Sequence, residues 1–345
     1  MSRDLYLKLA REGLRMPIGT HLVLHEQTDP DAVVLDGDRL GSVIVETAKR
    51  FSTPLAVPLM DLALEKAALL HAYDVPEVEM ESYHFAAPPE SPAAIDLTPR
   101  MRAACEAIAH VAAQPGLVPM GMSIGPFSLM SKLVADPITP VYLAGTGLTG
   151  DDEPEVELME RALALGERVI LRYLEAQIEA GATAMIICEP AANLVYFSPN
   201  QLAADATVFE RYVMEPMQRI AHVLAEHDVD LVFHNCGELT DAMVRRFTTL
   251  GAVMLSLGSS RKLWEDAAFV PKDTVLYGNL PSKRFYAAQF TATDVEEQSR
   301  ELLEKMQAAG HPFILGTECD VLSVPGFERE IFAKVDALMS CARRP

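Results

Sequence analysis

Positive charge, cysteine and long apolar runs are all scarce in this chain, and each shortage closes off a class of function. Lysine and arginine number 29 against 49 aspartates and glutamates, a formal net charge of −20. A field of that sign repels nucleic acid and anionic membrane surfaces, so neither is expected as a partner. The cysteines, at positions 105, 188, 236, 319 and 341, are too few and odd in number for a disulfide framework in a chain of 345 residues. No apolar run approaches the length of a membrane span. Residues Met1–Arg11 have the pattern of a charged amphipathic helix, not the apolar core of a secretion signal. A soluble, cytoplasmic protein in a reducing compartment is the expectation.

What is present is an apolar fraction of 50%, enough to bury a sizeable core. From Thr53 onward, apolar β-rich runs alternate with longer stretches of helical spacing. Eight runs read as strands: Leu55–Leu62, Val78–Phe85, Leu117–Ser123, Thr183–Glu189, Asp230–Asn235, Ala252–Leu257, Thr274–Asn279 and Pro312–Thr317. Helices are expected over Ile95–Ala113, Glu155–Ala180, Pro199–His227, Leu239–Leu250, Thr293–Ala309 and Phe327–Met339. Eight β–α units in succession predict an α/β chain folded as a (β/α)8 TIM barrel over residues 53–345. Residues 1–52 read as an N-terminal extension packed on that barrel, with Pro17–Leu24 extended. Val78–Phe85 is the weakest strand, because it alternates charged and apolar residues and leads into a proline-rich stretch. Thr139–Glu153 is expected to be a mobile loop over one end. Its Gly145-Thr-Gly147 lacks the Gly-x-x-Gly helix start that would signal a dinucleotide site.

The working face of such a barrel is formed by the carboxyl ends of its strands. Reading those ends gives Asp61, His84, Ser123, Glu189, His234 with Cys236, Ser256, Asn279, and Glu318 with Cys319. Strand residues separated by one other point the same way, so His234 and Cys236 can reach one ion, with Cys319 arriving from another strand. Two thiolates and an imidazole suit Zn2+ with a fourth position left for substrate. Zinc holds a coordinated thiol as its thiolate, so activation of a sulfur nucleophile is the chemistry implied. Against this stands the common fate of a strand-end cysteine or histidine, which is simply to pack in the core. The close pairing of the two, followed by Gly237, with a third soft ligand in reserve, favours the metal.

Glu189 is either a fourth ligand or substrate acceptor, or a carboxylate capping the next helix. Asp61, with Glu65 one turn on, belongs either to the pocket or to a helix N-terminus favoured by the macrodipole. Ser256, Asn279, Met60 and His84 are candidate substrate contacts, and His21 and His25 candidates for the mouth. Cys105, Cys188 and Cys341 read as structural.

These residues resemble a known group. His234-Asn-Cys236 with the distant Cys319 is similar to the His-x-Cys…Cys zinc signature of the corrinoid-dependent methyltransferases within the uroporphyrinogen decarboxylase superfamily. Cys188-Glu-Pro-Ala-Ala192, Phe197-Ser-Pro199, Gly278-Asn279-Leu280, and Pro58-Leu-Met-Asp61 with Glu65 resemble further segments of that group, from roughly Thr53 to the C-terminus. The resemblance implies a (β/α)8 barrel carrying the zinc ligands on the fifth and eighth strands. It also implies transfer of a methyl group from methylcobalamin, carried by a partner corrinoid protein, to a thiol such as coenzyme M. A related branch methylates tetrahydrofolate and does not require the zinc ligands, and that reading is the alternative. The Arg-Gln-Ala-Gly-Arg signature of true uroporphyrinogen decarboxylases is absent, with Gly19-Thr-His-Leu-Val-Leu-His25 near its place, which argues against decarboxylation. A non-enzymatic zinc-binding barrel and a zinc hydrolase rank lower, the latter because two thiolates soften the metal for activating water. With no Asp-x-His-x-x-Gly segment, the corrinoid is expected to arrive on its partner.

Overall fold

The computed structural model describes residues 3–204 and 207–341. Its sheet has eight strands: β1 (Arg15–Ile18), β2 (Leu55–Ala56), β3 (Val118–Ile124), β4 (Ala184–Cys188), β5 (Asp230–Asn235), β6 (Met254–Leu257), β7 (Val275–Leu280) and β8 (Phe313–Asp320). They run parallel in the order β1-β8-β7-β6-β5-β4-β3-β2, curled into a (β/α)8 TIM barrel. Among the described residues the β1 and β2 edges share no ladder. Strands of a barrel are covered on both faces, which is why most are buried along their whole length. One set of side chains, including Met120, Met122, Ile186, Val232, Val275, Tyr277 and Ile314, fills the interior. The other set, including Ile187, Leu231, Phe233, Leu255 and Leu315, packs on the outer helices.

Two expectations about the strands are corrected. Val78–Phe85 is not a strand: Glu77–Met80 is a turn of helix, Val78 is 91% exposed, and the buried Met80 and Phe85 pack under the outer helices. Charged residues at every second position do not suit a strand that is covered on both faces. The missing strand is β1, supplied by the segment 1–52 that was expected only to pack on the barrel. Pro17–Leu24 is therefore not one extended run; β1 ends at Ile18 and a helix occupies Thr20–Leu24. The segment Thr139–Glu153 likewise begins in a helix, Ile138–Gly145, before its turns.

Two irregularities position the site. The first is at the β1–β8 pair, where Met16 faces Gly316 but Ile18 already faces Asp320. Pro17, between them, has no N–H to give to a ladder. The Ile18 amide is satisfied instead by the Thr317 hydroxyl at 3.0 Å. The extra residues of β8 make a bulge just before Cys319. The second is at the other end of the barrel, where the helix Arg3–Arg11 puts Tyr6 and Leu9 into the interior cluster. Arg3 donates to the carbonyls of Gly251 and Ala252 at 2.6 and 3.0 Å. The amino end is thus plugged, and access to the interior is from the carboxyl end.

Candidate metal centre

Val232, His234 and Cys236 share the inward parity of β5, so the apolar strand that packs the barrel also aims the imidazole and the first thiol. Alternation from the inward Ile314 would turn Cys319 outward with Leu315; the β8 bulge re-aims it. As a result His234, Cys236 and Cys319 offer ligand atoms that all lie within 4.8 Å of one another. None of the five cysteines is disulfide-bonded.

The surroundings fit a metal at this point. His234 is buried, and its Nδ1 sits 2.8 Å from the Ser256 hydroxyl. Its Nε2 is buried with no hydrogen-bond partner, and a buried polar atom left so is costly. A divalent soft ion beside the two sulfurs would satisfy it. The thiols are already poised: a hydrogen bond from Cys319 lowers the pKa of Cys236 against the effect of burial, and His234 and Lys283 add to this, while the same bond raises Cys319. Lys283, in the turn after β7, is itself disfavoured as a cation by burial, but the charges of Cys236, Glu318 and Cys319 outweigh this and raise its pKa. Its place just past a strand end was the signal that sequence reading passed over.

The turn carrying Cys236 is fixed from below. Asn235 donates to the carbonyls of Glu189 and Ala192 at 2.6 and 3.0 Å and accepts from the Gly237 amide at 2.8 Å. A Cβ at Gly237 would lie 2.6 Å from that of Asn193 and 2.8 Å from the Pro190 carbonyl, so only glycine fits beside the ligand. Asn235 was passed over because it sits between His234 and Cys236, facing away from them.

The remaining candidates divide. Met60 is at the centre, its sulfur 3.6 Å from that of Cys319. Asp61 holds Arg100 at 2.5 Å and accepts from the Ala63 amide at 3.1 Å. Ser256 acts through His234. Asn279 spends its amide on the carbonyls of Gly258 and Arg261, both at 2.8 Å, bracing the loop after β6. His84 lies on an exposed turn beyond the short helix and is not brought to the trio. Glu189 is fully buried but points the other way: its two oxygens accept from the Phe127 and Ser128 amides at 3.1 and 2.6 Å. It caps the helix Pro126–Leu133, and a Cβ at Gly125 would be 2.2 Å from one of its oxygens. Burial pushes its pKa up to about 7, against those hydrogen bonds. Glu65 is also fully buried, one oxygen accepting from Ser123 Oγ at 2.6 Å and the Ile124 amide at 3.2 Å, the other unpartnered. Burial again raises its pKa to about 7.

Beside the trio is a cavity of about 410 Å³, open to solvent, lined by His21, His25, Asp31, Met60, Asp61, Arg100 and neighbouring apolar groups. Met60 separates it from Cys319. The two imidazoles stack at 4.0 Å, and His21 Nδ1 accepts from the Ser323 amide at 3.0 Å. Burial, then the neighbouring His25, lowers the His21 pKa to about 4.

The fold and this centre define a class: a (β/α)8 barrel with a soft-ligand trio at the carboxyl ends of its strands. Residues 42–343 match the family described as uroporphyrinogen decarboxylase (URO-D), and the chain belongs to that family. It is also similar in fold to a solved structure, a methyltransferase from Methanosarcina mazei, with a TM-score of 0.66, 17% identity and 98% of each chain covered. No curated protein matches the sequence. No helix among the described residues is long and apolar enough to cross a membrane.

Proposed function

We propose that the protein is a zinc-dependent methyltransferase that moves a methyl group from a methylated corrinoid, carried on a partner protein, to a thiol such as coenzyme M. The observation that carries this reading is the convergence of His234, Cys236 and Cys319 with His234 Nε2 left unpartnered. The likeness to the Methanosarcina methyltransferase adds support at the level of fold. Decarboxylation of a tetra-acidic porphyrinogen is disfavoured by the mouth cavity, whose lining sets Asp31 and Asp61 against the single guanidinium of Arg100.

His234, Cys236 and Cys319 would hold the ion, and zinc bound there would supply a Lewis acid that favours the ionised form of an acceptor thiol. Ser256 holds the imidazole in the orientation that presents Nε2. Met60 covers the sulfur of Cys319 on the cavity side and limits water there. Lys283 places a cation beside Cys236. In the transfer the acceptor sulfur forms the new S–CH3 bond with its own electron pair. A methylated corrinoid would supply the methyl group, its Co–C bonding pair remaining on cobalt as methylcob(III)alamin gives cob(I)alamin, and the thiol proton would go to solvent. Exposed apolar side chains support the reading of a docking partner. Leu35, Val78, Ile138, Tyr142, Val195, Tyr286, Leu322 and Phe327 are the large apolar side chains left exposed among the described residues, and each lies between a strand and the long helix returning from it. That places them on connections at the carboxyl side of the sheet, where such a partner would dock.

The test is turnover of methylcobalamin by zinc-loaded protein against a panel of thiols and tetrahydrofolate. Methylation of a thiol, lost in Cys236→Ser, is expected. Methylation of tetrahydrofolate by protein that holds no zinc would overturn the reading in favour of the folate-directed alternative.

A further inference from the structure

The cavity beside Met60 carries information about the acceptor beyond its sulfur. It reaches both Met60, and through it Cys319, and a set of charged groups. Those groups are mixed: Asp31 and Asp61 carry negative charge, Arg100 positive, with His21 and His25 stacked on the wall. A thiol bearing only an anion can meet Arg100 but brings no cation to Asp31, the second carboxylate of the lining. A thiol bearing only a cation would leave the guanidinium without a new partner. A head group with both an ammonium and a carboxylate matches the lining on both counts. Its carboxylate takes the outward donors of Arg100, which is 44% exposed and so has donors free for a second, charge-assisted contact. Its ammonium lies between Asp61 and Asp31.

From this juxtaposition we infer that the acceptor is a small α-amino-acid thiol, of the class that includes homocysteine and cysteine. Its zwitterionic head is held by Arg100, Asp61 and Asp31, and its sulfur reaches past Met60 to the Cys236–Cys319 centre. The inference rests on the thiol-methylation reading and narrows it. Met60 is suited to the boundary, since an unbranched thioether can swing aside without a large packing cost. The product is the corresponding thioether amino acid, whose sulfur has no proton left to lose and no longer competes for the centre.

Two measurements test this. In the first, homocysteine, 3-mercaptopropionate, 2-mercaptoethanesulfonate and cysteamine compete as acceptors for methylcobalamin. In the second, binding of methionine, 3-(methylthio)propionate and S-methylcysteamine is measured by calorimetry on the full-length protein, with no turnover required. Homocysteine and methionine are expected to be preferred over either singly charged relative. In Arg100→Gln the ratio of kcat/KM for homocysteine to that for cysteamine should fall roughly ten- to a hundredfold, the loss of one charged hydrogen-bonding partner. Methylation of thiols with equal or better use of the sulfonate or propionate overturns the inference and leaves the thiol reading standing. Selective binding of methionine with no thiol methylated supports the amino-acid site and overturns the methyl-transfer reading. An unchanged ratio in Arg100→Gln, or no selective binding, overturns the site.

Discussion

A single hydroxyl fixes the orientation in which the imidazole would meet a metal ion. Ser256 sits opposite His234 in the β5–β6 register and holds its Nδ1, which leaves Nε2 facing the sulfurs. Ser256→Ala should therefore weaken zinc binding by roughly ten- to a hundredfold, the usual effect of losing a ligand's outer partner, with little change in secondary structure. Competition with a chromophoric chelator measures this, and unchanged affinity would show that packing alone orients the ring. At this scale the convergence of His234, Cys236 and Cys319 was legible because soft side chains clustered at strand ends are rare. The roles of their neighbours were not. Glu189 has the composition and position of a functional carboxylate, and only the orientation of the next helix turns it into a cap. Lys283 and Arg100 reach their partners across the barrel mouth, and no local pattern in sequence encodes that distance.

At the scale of elements, β5 and most of its neighbours were readable because parallel strands covered on both faces are apolar throughout. β1 was not: four residues including a proline make a poor strand in isolation, and the pairing with β8 is what defines it. The reverse error, Val78–Phe85, has the period of a strand but nothing to cover its charged side. The β8 bulge that brings Cys319 inward depends on Pro17, some three hundred positions away in the chain, so simple alternation could not have placed that sulfur. Glu65 ties the helix Leu64–His71 to β3 as a buried carboxyl with a folded pKa of about 7, above that of an unfolded glutamate. The folded state then binds the proton more tightly. Its contribution to stability is complete below the unfolded pKa and is lost as pH rises through about 7. Glu189 acts in the same direction. Glu65→Gln should flatten the decline in urea-measured stability between about pH 5 and pH 8 by on the order of 3 kcal/mol. A wild-type protein whose stability rises across that window would contradict the assignment.

The molecule as a whole presents one functional end. The amino end is plugged by the helix Arg3–Arg11, while the candidate metal centre, the mixed-charge cavity and the connections bearing the exposed apolar side chains share the carboxyl end. A partner bearing a methylated corrinoid would dock there. Leu322→Glu combined with Val195→Glu should raise the KM for the corrinoid protein about tenfold, the effect of losing a modest contact at an interface, and leave turnover of free methylcobalamin unchanged. Equal effects on both donors would place the defect in the barrel, not in docking. The barrel class followed from the succession of β–α units; the eighth strand supplied by the N-terminal segment and the plug did not, because both depend on contacts between residues far apart in the chain.

The central claim is that His234, Cys236 and Cys319 hold one soft ion. Elemental analysis of the purified protein, and of Cys236→Ser and Cys319→Ser, after equilibration with zinc and removal of excess tests it most directly. Stoichiometric zinc in the wild type, lost from both variants while their circular dichroism is unchanged, is the predicted result. A wild-type protein that leaves this treatment without zinc, or variants that retain it in full, would contradict the account.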